Sequence, residues 1–259
     1  MERVTPDVPQ LRAMKARGEK IAMLTTYDYP TARLLDEAGV DVLLVGDSVG
    51  MVVLGYPDTT LVTMDEMVHH TRAVARGATR AFILADLPFR SYETPEDAVA
   101  NSRRLIEAGA HAVKLEGGIP RVPQIRALAT AGIPAMAHIG MMPQNVRIEG
   151  GYRMKGKTPD QADALVADAA AVEAAGAFGI LIELVVAEVA RRITESVKIP
   201  TIGIGAGTGC DGQVLVLHDL IGLFPWFTPK FAKPRANVAA EIRSAVAAYL
   251  NETKTKPSD

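Results

Sequence analysis

Short apolar runs alternate with amphipathic segments along most of the chain. IAMLTT (21–26) precedes YPTARLLDEAG, DVLLVGD (41–47) precedes MDEMVHHTRAVARG, and AFILAD (81–86) precedes PEDAVANSRRLIEAG. The runs are rich in β-branched residues, whereas the segments between them carry apolar residues at helical spacing. This pattern predicts buried parallel strands joined by helices. HAVKLE (111–116), IPAMAHI (133–139), FGILIE (178–183), IPTIGIG (199–205) and QVLVLHD (213–219) bring the expected strands to eight. Eight successive βα units predict an α/β fold of the (β/α)8 TIM-barrel class. A doubly wound open sheet also strings such units together, but the chain lacks a dinucleotide fingerprint.

An internal echo supports the repetition. DEAGVDVLLVGD, IEAGAHAVKLEG and EAAGAFGILIEL each join a helix end, a Gly-containing turn and a strand ending in an acid. One barrel domain is expected over residues 1–259, with a polar tail from about 251 to 259. Two stretches exceed an ordinary βα turn, SVGMVVLGYPDTTLVT after Asp47 and IGMMPQNVRIEGGYRMKGKTP after His138. Both fall on the expected C-terminal face, where long loops shape a pocket or lid or meet another subunit.

Composition narrows the function classes. The 259 residues are 48% hydrophobic and 22% charged, enough for a full core, and the formal net charge of −2 offers no basic field for nucleic acid. The N-terminal MERVTPDVPQLRAMKARGEK carries charge where a signal peptide needs an apolar stretch, and no segment suits a membrane span, so a cytoplasmic protein is expected. A single cysteine, Cys210, excludes an intrachain disulfide and a multi-cysteine metal site.

The candidate chemistry sits at the strand ends. Asp47, Asp86 and Glu116 each close an apolar run and point toward a shared mouth, which suggests a divalent metal site. Side chains alternate along a strand, so Lys114 and Glu116 share a face, and burying both costs several kcal/mol unless they are paired or liganded. Oxygen ligands without cysteine suit Mg2+ or Mn2+, and a 2-oxo acid is a natural bidentate partner for such an ion. Glu183 ends FGILIE and is spare to a three-acid site, which suits a general base that removes a proton next to a carbonyl. His138 either orients a substrate carboxylate or is a satisfied core residue. His69 and His70 read as helix-face residues, and the glycine-rich IGIGAGTGCDGQ lacks the Lys-Ser/Thr of a P-loop.

These residues carry a family resemblance. MLTTYDYPTARLLDEAGVDVLLVGDSVGMVVLGYPDTTLVTMDEMVHHTRAVARG, ADLPF, AVKLEGG, the HIG…PQ…GGY segment and IPTIGIGAGTGCDGQVLVLHD resemble, in order, the ketopantoate hydroxymethyltransferase family. The resemblance implies a (β/α)8 barrel related to phosphoenolpyruvate mutase and isocitrate lyase. It implies transfer of a one-carbon unit from 5,10-methylenetetrahydrofolate to 3-methyl-2-oxobutanoate, on the route to pantothenate and coenzyme A. By the same match Asp47, Asp86 and Glu116 would surround Mg2+, Asp47, Ser48, Asp86 and Lys114 would hold the oxo acid, and Glu183 would accept the proton. Cytoplasmic decamers are common in the family, so a homo-oligomer is expected. Met142 and Pro234 depart from the family pattern away from these residues. A related metal-dependent lyase or mutase, or a catalytically silent barrel, are the competing readings.

Overall fold

The computed structural model describes residues 7–254. Strands β1 (Ile21–Thr25), β2 (Val42–Val45), β3 (Phe82–Asp86), β4 (Ala112–Glu116), β5 (Ala135–Gly140), β6 (Gly179–Glu183), β7 (Thr201–Ile204) and β8 (Gly212–Leu215) form a closed barrel in chain order. The paired neighbours recorded from β1 to β8 are all parallel. The expected (β/α)8 barrel is therefore the observed fold. The eighth strand is shorter than its apolar run suggested. It ends at Leu215, and His218 and Asp219 lie in a short helix over Leu217–Ile221.

The helices are α1 (Val8–Ala16), α2 (Tyr29–Ala38), α3 (Val49–Val52), α4 (Met64–Gly77), α5 (Pro95–Glu107), α6 (Val122–Thr130), α7 (Val146–Glu149), α8 (Pro159–Ala174), α9 (Ala187–Ser196), α10 (Leu217–Ile221) and α11 (Val238–Lys254). Their starts are written locally. Thr63 and Thr94 begin α4 and α5 with reciprocal capping boxes to Glu66 and Asp97, and Asp28 caps α2 through Thr31 N–H at 2.9 Å. Among the described residues no helix is long and apolar enough to cross a membrane.

Alternation along each strand sorts its side chains into two sets. Leu43, Val45, Ile83, Ala85, Val113, Leu115, Ala137, Ile139, Ile180 and Ile182 join Val74, Leu105, Leu128, Val172 and Ile193 of the helices in one buried cluster. The opposite set, which includes Phe82, Leu84, Met136 and Leu181, fills the barrel interior. Lys114, Glu116 and His138 belong to that inner set, so the strand period alone carries them into the barrel.

Two compact units make up the chain, the barrel unit to Val214 and a smaller one from Leu215 that holds α10 and α11. The expected single domain over 1–259 drew no such division. Residues 251–254, expected in a polar tail, complete α11, and 255–259 lie outside the described residues.

Candidate active site

Strand register assembles the site. Asp86 on β3 pairs with Lys114 on β4, Glu116 on β4 with His138 on β5, and Gly140 on β5 with Glu183 on β6. Four consecutive strands thus place two acids, a lysine, an imidazole and a third acid side by side at one end of the barrel. Asp47 arrives from the turn after β2, and its backbone N–H donates to Asp86 Oδ2 at 3.0 Å. Ser48 follows, with its Oγ 2.9 Å from the Tyr27 hydroxyl.

The contacts run in a chain. Lys114 Nζ lies 3.2 Å from Asp86 Oδ1 and 3.3 Å from His138 Nδ1. His138 Nδ1 is 3.5 Å from Glu116 Oε1, and its Nε2 is 3.4 Å from Glu183 Oε2. Gln144 enters from the turn after β5. Its side-chain Nε2 donates to Asp47 Oδ2 at 2.8 Å and to Leu87 O at 3.0 Å, while its backbone N–H donates to Glu116 Oε2 at 3.0 Å. The Tyr92 hydroxyl donates to Gln144 Oε1 and accepts from Glu116 N–H.

Burial sets the electrostatics. Asp86, Glu116 and His138 side chains are 2–3% exposed, whereas Glu183 is 13% exposed and the most open of these groups. Burial pushes the Asp47 carboxyl well up, and the nearby charges of Asp86 and Glu116 push it further. Burial also raises Asp86, against the pull of Lys114 and the Asp47 N–H. Burial alone would lower Lys114, but Asp86, Asp47 and Glu116 outweigh it and hold the ammonium charged. Burial and Lys114 lower the His138 pKa, yet Glu116 and Glu183 prevail and bring it to about 9. The ring faces both carboxylates, and its Nδ1 is also within hydrogen-bond reach of Lys114 Nζ, with the roles of the ring nitrogens set by the tautomer.

Backbone strain sits beside Glu183. Leu184 has φ of 47°, a left-handed conformation that costs a non-glycine residue about 1 kcal/mol or more. It is held there on both sides, its N–H donating to Ile204 O at 2.9 Å and its carbonyl accepting from Lys155 N–H at 2.7 Å. Gly140, with φ of 96°, packs against the Glu183 carbonyl, which also accepts from Met141 N–H at 2.8 Å. The carboxylate of Glu183 therefore hangs from a rigid strand end.

The two long loops carry short elements of their own. The first holds α3 and a 3-10 turn at Thr59–Leu61, the second a 3-10 turn at Pro143–Asn145 and α7. Arg147 of the second reaches Asp58 of the first at 2.7 Å. Tyr152 also belongs to the second loop. Its phenol is pushed up by partial burial and by the charges of Glu183, Asp47 and Glu116, which places it in the field of the acids.

The donor chemistry fits a hard divalent cation. Asp86 Oδ1, 3.2 Å from Lys114 Nζ, and Glu116 Oε1, 3.5 Å from His138 Nδ1, are buried acceptors with lone pairs to spare, and four carboxyl groups share the mouth with one lysine. Among the described residues no three His, Cys, Asp or Glu side chains form a preformed cage. That geometry suits an ion held by one or two carboxylates with water or substrate oxygens completing its shell.

The structure brings together the seven residues expected at the barrel mouth: Asp47, Ser48, Asp86, Lys114, Glu116, His138 and Glu183. His138, left open between substrate contact and core, lies within the cluster. Sequence reasoning missed Gln144 and Tyr92. The signals for Gln144 were the Gln-Asn pair in the otherwise apolar MMPQNV after β5 and its place in the PQ of the family match, neither of which assigned it a role, and Tyr92 had none.

A family model described as ketopantoate hydroxymethyltransferase matches residues 5–258. The chain is 55% identical over 249 residues to the 3-methyl-2-oxobutanoate hydroxymethyltransferase of Moorella thermoacetica, covering 95% of this chain and 93% of the relative. It is 56% identical over 243 residues to the protein of the same name from Caldivirga maquilingensis, covering 93% and 91%. Among solved structures it resembles 2,3-dimethylmalate lyase, a PEP mutase/isocitrate lyase superfamily member, with a TM-score of 0.65, 18% identity and coverage of 97% and 90%. Phosphoenolpyruvate phosphomutase from Streptomyces platensis subsp. rosaceus gives a TM-score of 0.67 at 18% identity, covering 97% and 92%. These structural likenesses define the fold.

Proposed function

The chain belongs to the ketopantoate hydroxymethyltransferase family, and from that membership we propose that it transfers a hydroxymethyl group from 5,10-methylenetetrahydrofolate to 3-methyl-2-oxobutanoate, releasing 2-dehydropantoate and tetrahydrofolate. One observation carries the reading. Three buried carboxylates lie at the barrel mouth beside a buried lysine and a fourth, more open carboxylate.

In this reading Asp47, Asp86 and Glu116 would hold Mg2+, directly or through water. The bound ion would supply Lewis-acid polarisation of the oxo acid's ketone. Lys114 offsets the negative charge of the substrate carboxylate. Ser48 and the same aspartates orient the oxo acid. Glu183 takes the proton from C3 as general base, with His138 fixing its position from the Nε2 side. The electron pair left at C3 forms the new carbon–carbon bond to the one-carbon unit. Water supplies the product hydroxyl as tetrahydrofolate leaves.

Two further features bear on the proposal. Cys210 is 1% exposed and burial raises its pKa, so it does not offer the reactive thiolate that a lyase or mutase reading would want. Ile242, Val246, Tyr249 and Leu250 form an exposed apolar stripe at helical spacing on α11, which supports a homo-oligomer.

Proton NMR of 3-methyl-2-oxobutanoate in D2O tests the mechanism. Loss of the C3 hydrogen signal is expected with wild type and Mg2+, and its persistence is expected with EDTA or with Glu183→Gln. Absence of exchange by the folded wild type, with metal and folate present, would overturn the assignment.

A further inference from the structure

We propose that Gln144 is a positioning residue that decides which carboxylate oxygens face a divalent cation, an inference that rests on the metal reading given above. Each of the three acids has two oxygens, and an uncharged donor of the fold, a backbone N–H or an amide, holds one on each. Asp86 Oδ2 accepts from the Asp47 N–H at 3.0 Å, Asp47 Oδ2 from Gln144 Nε2 at 2.8 Å, and Glu116 Oε2 from the Gln144 N–H at 3.0 Å. Two of the three ties come from one residue, on a turn whose preceding strand supplies none of these acids. The opposite oxygens, Asp86 Oδ1 and Glu116 Oε1, are buried and face Lys114 Nζ at 3.2 Å and His138 Nδ1 at 3.5 Å.

Gln144 is itself locked. It is 4% exposed, its Oε1 faces the Tyr92 hydroxyl, and its Nε2 serves two acceptors, Asp47 Oδ2 and Leu87 O. Turning the amide over would set oxygen against two oxygens, so one orientation satisfies the network. Tyr92 is braced in turn by Arg121, whose guanidinium carbon lies 4.9 Å from the ring centroid. The result is a clamp that starts at Arg121 and ends on Asp47 and Glu116.

A carboxylate with one oxygen engaged offers the other singly. Single-oxygen ligation suits Mg2+, which demands octahedral geometry, whereas Ca2+ readily takes carboxylates through both oxygens. Gln144 therefore favours the smaller ion as well as strengthening binding. Gln144→Met removes the amide while keeping the backbone N–H on Glu116, so it isolates the tie to Asp47.

The free-ion EPR signal of Mn2+ measures affinity without turnover, and competition by Mg2+ and by Ca2+ measures selectivity. Gln144→Met is expected to weaken Mn2+ binding about 10- to 100-fold, the usual effect of losing a ligand's hydrogen-bond partner, and to narrow the preference for Mg2+ over Ca2+. A merely structural role would lower the melting temperature and leave the ratio of the two ions unchanged. A folded Gln144→Met with wild-type affinity and selectivity would overturn the clamp alone. Wild type that binds neither Mn2+ nor Mg2+ would remove the metal reading and the clamp with it. Should Gln144→Met not fold, Tyr92→Phe decides: weaker binding supports the clamp, and unchanged binding overturns it.

Discussion

Gly140→Ala should disable the site from a neighbouring strand. Gly140 has φ of 96°, and a Cβ placed there would stand 2.3 Å from the Glu183 carbonyl oxygen and 2.7 Å from Val185 Cγ2. Comfortable carbon–oxygen contact begins near about 3.3 Å, so the end of β6 must retreat by about 1 Å. Two costs then add. The left-handed conformation costs alanine about 1–2 kcal/mol, and overpacking adds about 1–3 kcal/mol. A stability loss of about 2–5 kcal/mol follows, and a base displaced by about 1 Å should slow C3 proton exchange about 10²-fold. Urea denaturation and NMR exchange in D2O measure the two effects on one preparation. Gly18→Ala is the control, because Gly18 has φ of 69° with nothing within 4 Å of the added Cβ. It should lose about 1–2 kcal/mol and keep full exchange. Exchange within twofold of wild type by folded Gly140→Ala would refute the claim that this contact positions Glu183.

The remaining predictions concern charge and assembly. Asp36 is 4% exposed and accepts from the backbone N–H groups of Thr79, Arg80 and Ala81, so Asp36→Ala should cost about 3 kcal/mol in urea denaturation. Burial opposes those bonds, but they prevail and hold its pKa below the usual carboxylate range. Its stabilisation is therefore present above the unfolded pKa and lost as pH falls through the folded one, and Asp36→Asn should flatten that part of the acid limb. Lys114→Met strands Asp86 without its cation, which should lower stability by about 3 kcal/mol and abolish oxo-acid binding in calorimetry. Light scattering should find wild type as a multimer near ten chains. Ile242→Asp with Tyr249→Asp on α11 should lower that mass, and an unchanged mass would remove α11 from the interface.

The legible part of the site was the part governed by period. Alternation within HAVKLE put Lys114 and Glu116 on one face, and the acids at the ends of apolar runs marked the barrel mouth. Register was not legible, because hydrogen bonding between neighbouring strands sets which residue of β3 stands beside Lys114. Gln144 and Tyr92 were hidden for a related reason. Their partners lie 97 positions away for Gln144 with Asp47 and 52 for Tyr92 with Gln144, a separation no local pattern encodes. The eighth strand was overextended because a short apolar run such as VLVL suits a strand or a buried helix equally. Spacing suggested a metal and an oxo acid, and only the family resemblance named the substrate and the one-carbon donor.

Lys114, Glu116 and His138 occupy positions that a barrel usually gives to core packing. Removing one of them strands its partners, Asp86 beside Lys114 included, but replacing all three together with Asp86 by well-packed apolar residues would lift a desolvation cost that the fold otherwise carries. The enzyme is thus held below the stability its own scaffold permits, and the deficit is concentrated in the layer where the proposed reaction occurs. A library of this barrel selected for heat resistance alone should drift to apolar residues at 86, 114, 116 and 138 together, with turnover lost along the way.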